Sequence, residues 1–336
     1  MNMKIINEKT GLLVCLLSVC FWANAQQSMK VVATYPVSGN GRYDYLALSK
    51  TGKLYVSHGD QVNILDEQTG AEIAVIRGLS GVHGIAFDYE NNKGFISNGT
   101  GNNVSVFDLQ TNAVTNTIPT EKDPDGIIYE PFTKTIITGN GKSNSLSVID
   151  PKTEKVIHTV PLGGKPEAAA SDGKGWLLVN LEDKSEIAKV DLKTFEVIKR
   201  IPLAPAGEEP SGLAIDLKNK LLFSGCGNKT LVVVDYEKGT VVNTYPIGGG
   251  CDYVSYNPDT ETVYSSNGSG TLTVLQRKGA NDYSVSNVAT KAGAKTMALN
   301  ITTNTVYLST VERSSTPDAN GKKSILPNTF QVLVVR

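Results

Sequence analysis

Seven positions carry the chemistry this chain could perform: Asp44, His83, Asp125, Glu167, Ser211, Asp252 and Thr296. They recur about every 40 residues, and each opens a short apolar run. Four are carboxylates and one is an imidazole. A companion set, His58, Asn98, Asn140, Asn180, Cys226 and Asn267, closes the apolar run that follows each of the first six. If the fold gathers both sets at one rim, oxygen ligands and one or two imidazoles could hold a divalent metal, with Asp44, His83, Asp125, Glu167 and Asp252 as candidate ligands. The same ring, together with His58, Asn98, Asn140 and Asn267, could instead bind a polyol or a cationic small molecule. Carboxylates so gathered raise one another's pKa unless a cation neutralises them. The competing reading is structural: Asp and Asn often accept hydrogen bonds from turn amides, and these residues would then only cap turns. No compact His-x-x-x-His motif supports the metal. The third histidine, His158, falls in a segment read as an outer strand, where a solvated edge role is expected.

The elements that must position these residues are strands. Gly81 to Asp108 (GVHGIAFDYENNKGFISNGTGNNVSVFD) contains three apolar runs separated by turn chemistry, and Ala113 to Pro119 supplies a fourth. The unit repeats seven times. Four strands per unit at this period predict an all-β fold, a seven-bladed β-propeller of four-stranded antiparallel blades. Antiparallel order sets first-strand starts and second-strand ends on one rim, with the first strand innermost, so both sets of candidate residues should surround the channel mouth. Third strands end on Asp66, Asp108, Asp150, Asp191 and Asp235, placed to accept from amides two residues on. The last unit has three strands, and Met29 to Val37 (MKVVATYPV) reads as its missing fourth, closing the ring without an unpaired edge. Between the second and third strands of that unit, Val311 to Asn328 replaces a short loop, which implies either disorder or a mobile cover.

Lys4, Lys9, the apolar run Gly11 to Trp22 and Ala23-Asn24-Ala25 read as a signal peptide over residues 1–25, with a single domain over 26–336. The expected location is the periplasm. A lipoprotein signal ending at Cys20 is the alternative, and Phe21 beside it and the downstream Ala-x-Ala speak for soluble export. Cys226 and Cys251 fall on one rim in adjacent units, so in an oxidising compartment they are expected to form a disulfide, with free thiols or a copper-type thiolate site as alternatives. With 32 basic and 33 acidic residues, the chain has no nucleic-acid footprint. Trp176 is the only tryptophan beyond the signal, against a quinoprotein dehydrogenase, and neither a Gly-x-Ser-x-Gly elbow nor a phosphate loop is present.

The second strands LYVSHG, GFISNG and VYSSNG, with third strands such as NNVSVFD and TLTVL and the Asp66 to Gly70 turn, resemble the bacterial YVTN-type propeller repeats and the exported YncE-like family. The resemblance covers essentially the whole chain beyond the signal and implies fold and export; the family has no settled activity. The functional expectation is a monomeric, non-catalytic periplasmic propeller that binds a small molecule, glycan or protein at its acid-rich rim. The alternative is a metal-dependent, lactonase-like hydrolase or lyase, with His83 as base or ligand and Asp44, Asp125, Glu167 and Asp252 supplying oxygen.

Overall fold

The computed structural model describes residues 29–317 and 323–336. The segment read as a signal peptide lies outside the described residues. Among the described residues twenty-eight strands form seven antiparallel sheets of four, one per blade of a β-propeller. From blade one to blade seven the innermost strands are Tyr43–Leu48, Val82–Asp88, Pro124–Glu130, Pro166–Ser171, Pro210–Asp216, Cys251–Asn257 and Met297–Asn300. Among the described residues no helix is long and apolar enough to cross a membrane.

Each sheet stands with both faces against neighbouring blades, so second strands bury every residue in blades three, five, six and seven. Tyr55, Ile64, Ile85, Ile96 and Phe107, for example, fill the space between blades one and two. Outermost strands face water, and Val114–Pro119 is exposed at all but one of its positions. The ring closes as the sequence predicts. Val31–Pro36 pairs antiparallel with Gln331–Val335, and the amide of Val37 donates to Phe330 at 2.9 Å. Tyr35 then reaches blade one, its hydroxyl donating to the carbonyl of Gln68 at 2.9 Å.

The disulfide expectation is corrected: Cys226 and Cys251 are both buried free thiols. Strand alternation is the reason. Cys226 shares a face with Leu222 and Val232, packed toward blade four, whereas Cys251 packs against Phe223 and Val233 on the opposite face of the same sheet. Blade five therefore separates the sulfurs, and burial first of all pushes both thiols up to about 12.

The Val311 to Asn328 segment begins and ends as a hairpin stem. Arg313 bridges Ile325, the amide of Ser314 donates to Ser324 and that of Leu326 to Glu312. Val311, Ile325 and Phe330 root the stem in the core between blades seven and one.

Candidate functional site

The seven repeated positions meet at the channel mouth because of a bulge. In blades one to six the innermost strand carries a register shift at the candidate residue, for instance between Val82 and Ile85 and between Pro124 and Ile127. One extra residue there bends the strand and turns His83, Asp125 and their equivalents out of the sheet plane toward the axis. The following residue must be small where neighbouring inner strands approach closely. A Cβ on Gly212 would lie 2.5 Å from the Val254 nitrogen, and one on Gly84 2.8 Å from Ile127. Blades one and six place Tyr45 and Tyr253 at this position instead, and the two rings meet edge to face at 5.8 Å between centroids. Tyr45 lines both the polar mouth and a small apolar cavity of about 80 Å³ deeper in the channel, whereas Tyr253 lines the deeper cavity.

Serines of the second strands lock three of the bulges to the preceding blade. Ser57 donates to the carbonyl of His83 at 2.6 Å, Ser97 to that of Asp125 at 2.5 Å, and Ser309 to that of Asp44 at 3.2 Å. Buried, satisfied hydroxyls of this kind hold the ring residues in register across blade junctions. The serine before the closing Asn or His in LYVSHG and GFISNG was the sequence signal for this role.

The mouth is a cavity of about 750 Å³. It is lined by the carboxylates of Asp44, Asp125, Glu167, Glu182 and Asp252 and the cationic groups of Arg42, His83, Lys165, Lys295 and Arg313. His83 Nδ1 lies 2.5 Å from Asp44 Oδ2 and 3.6 Å from Asp125 Oδ1, while its Nε2 packs over Gly99, where a Cβ would lie 2.6 Å from it. Burial works to lower the imidazole pKa. The Asp44 hydrogen bond and the charges of Asp125, Asp44 and Asp123 outweigh it and raise it to about 9. Burial also raises Asp125, opposed by His83 and reinforced by Asp44 and Asp252. It raises Glu167 too, reinforced by Asp125, although Lys165 sits 2.8 Å away. Lys165 also bonds Glu182, and Lys295 pairs with Asp252 at 2.6 Å.

Of the sequence candidates, Asp44, His83, Asp125, Glu167 and Asp252 are brought together, and none of their side chains accepts a hydrogen bond from a turn amide. His58, Asn98, Asn140 and Asn267 are not at the mouth. A second strand points its side chains at neighbouring blades rather than at the axis. Asn98 donates to Asn103 and Ser105, Asn140 to Ser145 and Ser147, and Asn267 to Thr271 and Thr273, all within their own blades. His58 is buried against Phe330, both ring nitrogens without a hydrogen-bond partner, and burial lowers its pKa. His158 lies on an outer strand, stacked on Phe195. Ser211 donates to Asp252, and Thr296 to the carbonyl of Asp44.

Among the metal candidates, the ligating atoms of Asp44, His83 and Asp125 lie within 4.8 Å of one another. Glu167 and Asp252 are engaged by lysines. Sequence reasoning missed Arg42, Lys165, Glu182, Lys295 and Arg313. Lys165 and Lys295, just before inner strands, were visible as charges at repeat-equivalent edges, but nothing local says they turn inward. Neither a protein-family model nor a curated protein matches this chain.

Proposed function

We propose that this chain is an exported, YncE-like propeller that binds a small polar ligand in the cavity at the mouth of its channel. One observation carries the reading: a concave space of about 750 Å³ gathers ten charged side chains from six blades, with the Tyr45 ring among its lining. Pockets of this size suit small ligands, and a few convergent polar groups fix their orientation. Charged groups recessed in such a mouth are costly unless compensated, and a ligand that completes their pairing is favoured. Export rests on the segment over residues 1–25; mature protein beginning at Gln26 supports it, and retention of Met1 counts against it.

A thermal-shift screen of amines, amino acids, sugars and divalent ions tests the site. At least one compound is expected to raise the Tm by several degrees, and Asp125→Asn and Glu167→Gln should abolish that shift. Shifts that survive both substitutions place the ligand elsewhere.

The second reading uses Asp44, His83 and Asp125 as a metal set, favoured by their mutual proximity. A metal would have to displace the proton that His83 holds up to about pH 9. As a hydrolytic base His83 has the same handicap, because at neutral pH it is an imidazolium. Zinc, manganese or calcium titrations on the wild type and on His83→Gln distinguish the readings: an ion that binds the first tightly and the second weakly favours the metal set.

A further inference from the structure

The charges of the cavity are not evenly mixed. Over blades two to four, with Asp44 leaning toward blade two, lie Asp44, Asp125, Glu167 and Glu182 against His83 and Lys165. Across the channel, over blades six and seven and the entry to blade one, lie Arg42, Lys295 and Arg313 against Asp252. Internal pairing then consumes most of them. His83 is held by Asp44, Lys165 by Glu167 and Glu182, and Lys295 by Asp252.

What is left over has opposite sign at the two ends. On the acidic side, Asp125 Oδ1 is buried with no hydrogen-bond partner, and its nearest imidazole nitrogen is already committed to Asp44. On the basic side, neither Arg42 nor Arg313 forms an ion pair among the described residues, and Arg313 donates only to the carbonyl of Lys323. A metal ion would answer only the acidic end. An anion would answer only the basic end.

We propose that the cavity takes a short zwitterionic chain, with its ammonium end at Asp125 and its carboxylate end at Arg42 and Arg313; this rests on the mouth being a ligand site at all. Guanidinium groups accept a carboxylate in a planar two-bond fork, whereas a compact ammonium suits a buried carboxylate oxygen. Tyr45, Val82 and Ile325 supply apolar surface for the middle of the chain. An extended peptide advances roughly 3.3–3.6 Å per residue, so a tripeptide spans about 10 Å between its charged ends. A free di- or tripeptide is the ligand class this layout recognises.

Three probes of one length test it by calorimetry at low ionic strength: trialanine, trialanine amide and N-acetyl-trialanine. Trialanine is expected to bind at least tenfold more tightly than either blocked form. Arg42→Gln should weaken trialanine and leave the amide unchanged; Asp125→Asn should weaken trialanine and leave the acetylated peptide unchanged. Equal binding of the amide and trialanine overturns the zwitterion in favour of a purely cationic ligand. Failure of all three probes to bind at millimolar concentration also overturns it. If another compound from the screen then binds and Asp125→Asn abolishes it, the zwitterion alone has failed; if no compound depends on Asp125 or Arg42, the ligand site has failed with it.

Discussion

Two sets of aspartates repeat around this propeller with the same period, and the fold uses them oppositely. Asp66, Asp108, Asp150, Asp191 and Asp235 end third strands and face outward turns. Asp66 Oδ1 accepts from the amides of Gln68 at 3.1 Å and Thr69 at 2.8 Å, and Asp108 Oδ1 accepts from those of Gln110 and Thr111. Hydrogen bonds from the Thr69 hydroxyl and amide, and from the Thr111 amide and hydroxyl, hold these carboxyls below their ordinary pKa. Asp44, Asp125 and Asp252 open inner strands at the channel mouth and meet an imidazole, a lysine or no donor at all. Burial drives Asp125 the other way, upward. Residue type is the same in both places, and the supply of backbone amides decides the role: a turn offers donors, whereas a bulged inner strand aims its side chain away from them.

Removing Met29 to Val37 should abolish the contrast altogether, because the mouth exists only while the ring is closed. Loss of the closing strand strips the Gln331–Val335 edge of its partners and uncovers Tyr35 and Val37 contacts. A destabilisation of at least about 3 kcal/mol, with aggregation, is expected in denaturant melts and size-exclusion chromatography. A monomer of unchanged stability would show closure by other means.

Stability against pH gives the next largest effect, and the two sets should govern opposite limbs. The turn aspartates have lowered folded pKa values, so their contribution is present above the ordinary value of 3.8 and is lost as pH falls through the folded values. The mouth works in reverse. The folded pKa of His83, about 9, lies above 6.5, so its contribution is complete below 6.5 and is lost as pH rises through 9. Asp125 and Glu167, both raised, add with the same sign as they ionise. His83→Gln should therefore cost on the order of 1–3 kcal/mol near pH 6 and almost nothing above about pH 9.5. A constant difference between wild type and variant across that range would mean that the imidazolium pair contributes nothing.

Single substitutions sharpen the comparison at the smallest scale. Asp235 accepts from the amides of Glu237 and Lys238, so Asp235→Ala should cost about 1 kcal/mol. Asp125→Asn removes a carboxylate that competes with Asp44 for one imidazolium, and at pH 8 it should leave the Tm unchanged or raise it. Melting curves of both variants at that pH decide it. A clear fall for Asp125→Asn would mean that the mouth carboxylate is as structural as the turn carboxylate.

Much of this molecule was legible from residue order, and the limit falls at a definite physical place. Alternation and turn residues are local, so YDYLALS, VHGIAFD and PDGIIYE marked the inner strands, and MKVVATYPV marked the strand that closes the ring. The same local pattern put Asp44, His83, Asp125, Glu167 and Asp252 at one repeat position, which the bulges turn inward together.

The facing of every other side chain depended on partners distant in sequence. Asn98, Asn140 and Asn267 end on the same rim as the ring residues yet point into their own blades, because a sheet that stands radially shows its faces to its neighbours. Cys226 and Cys251 reach the same rim, but blade five lies between them. Arg42, Lys165, Lys295 and Arg313 join the cavity only once seven blades have closed into a ring. Strand period and blade number are properties of segments, so the sequence by itself determined them. The direction of a side chain at a blade edge, and which charge it meets there, is a property of the closed ring, where inter-blade packing sets the register, and only the tertiary structure decided it.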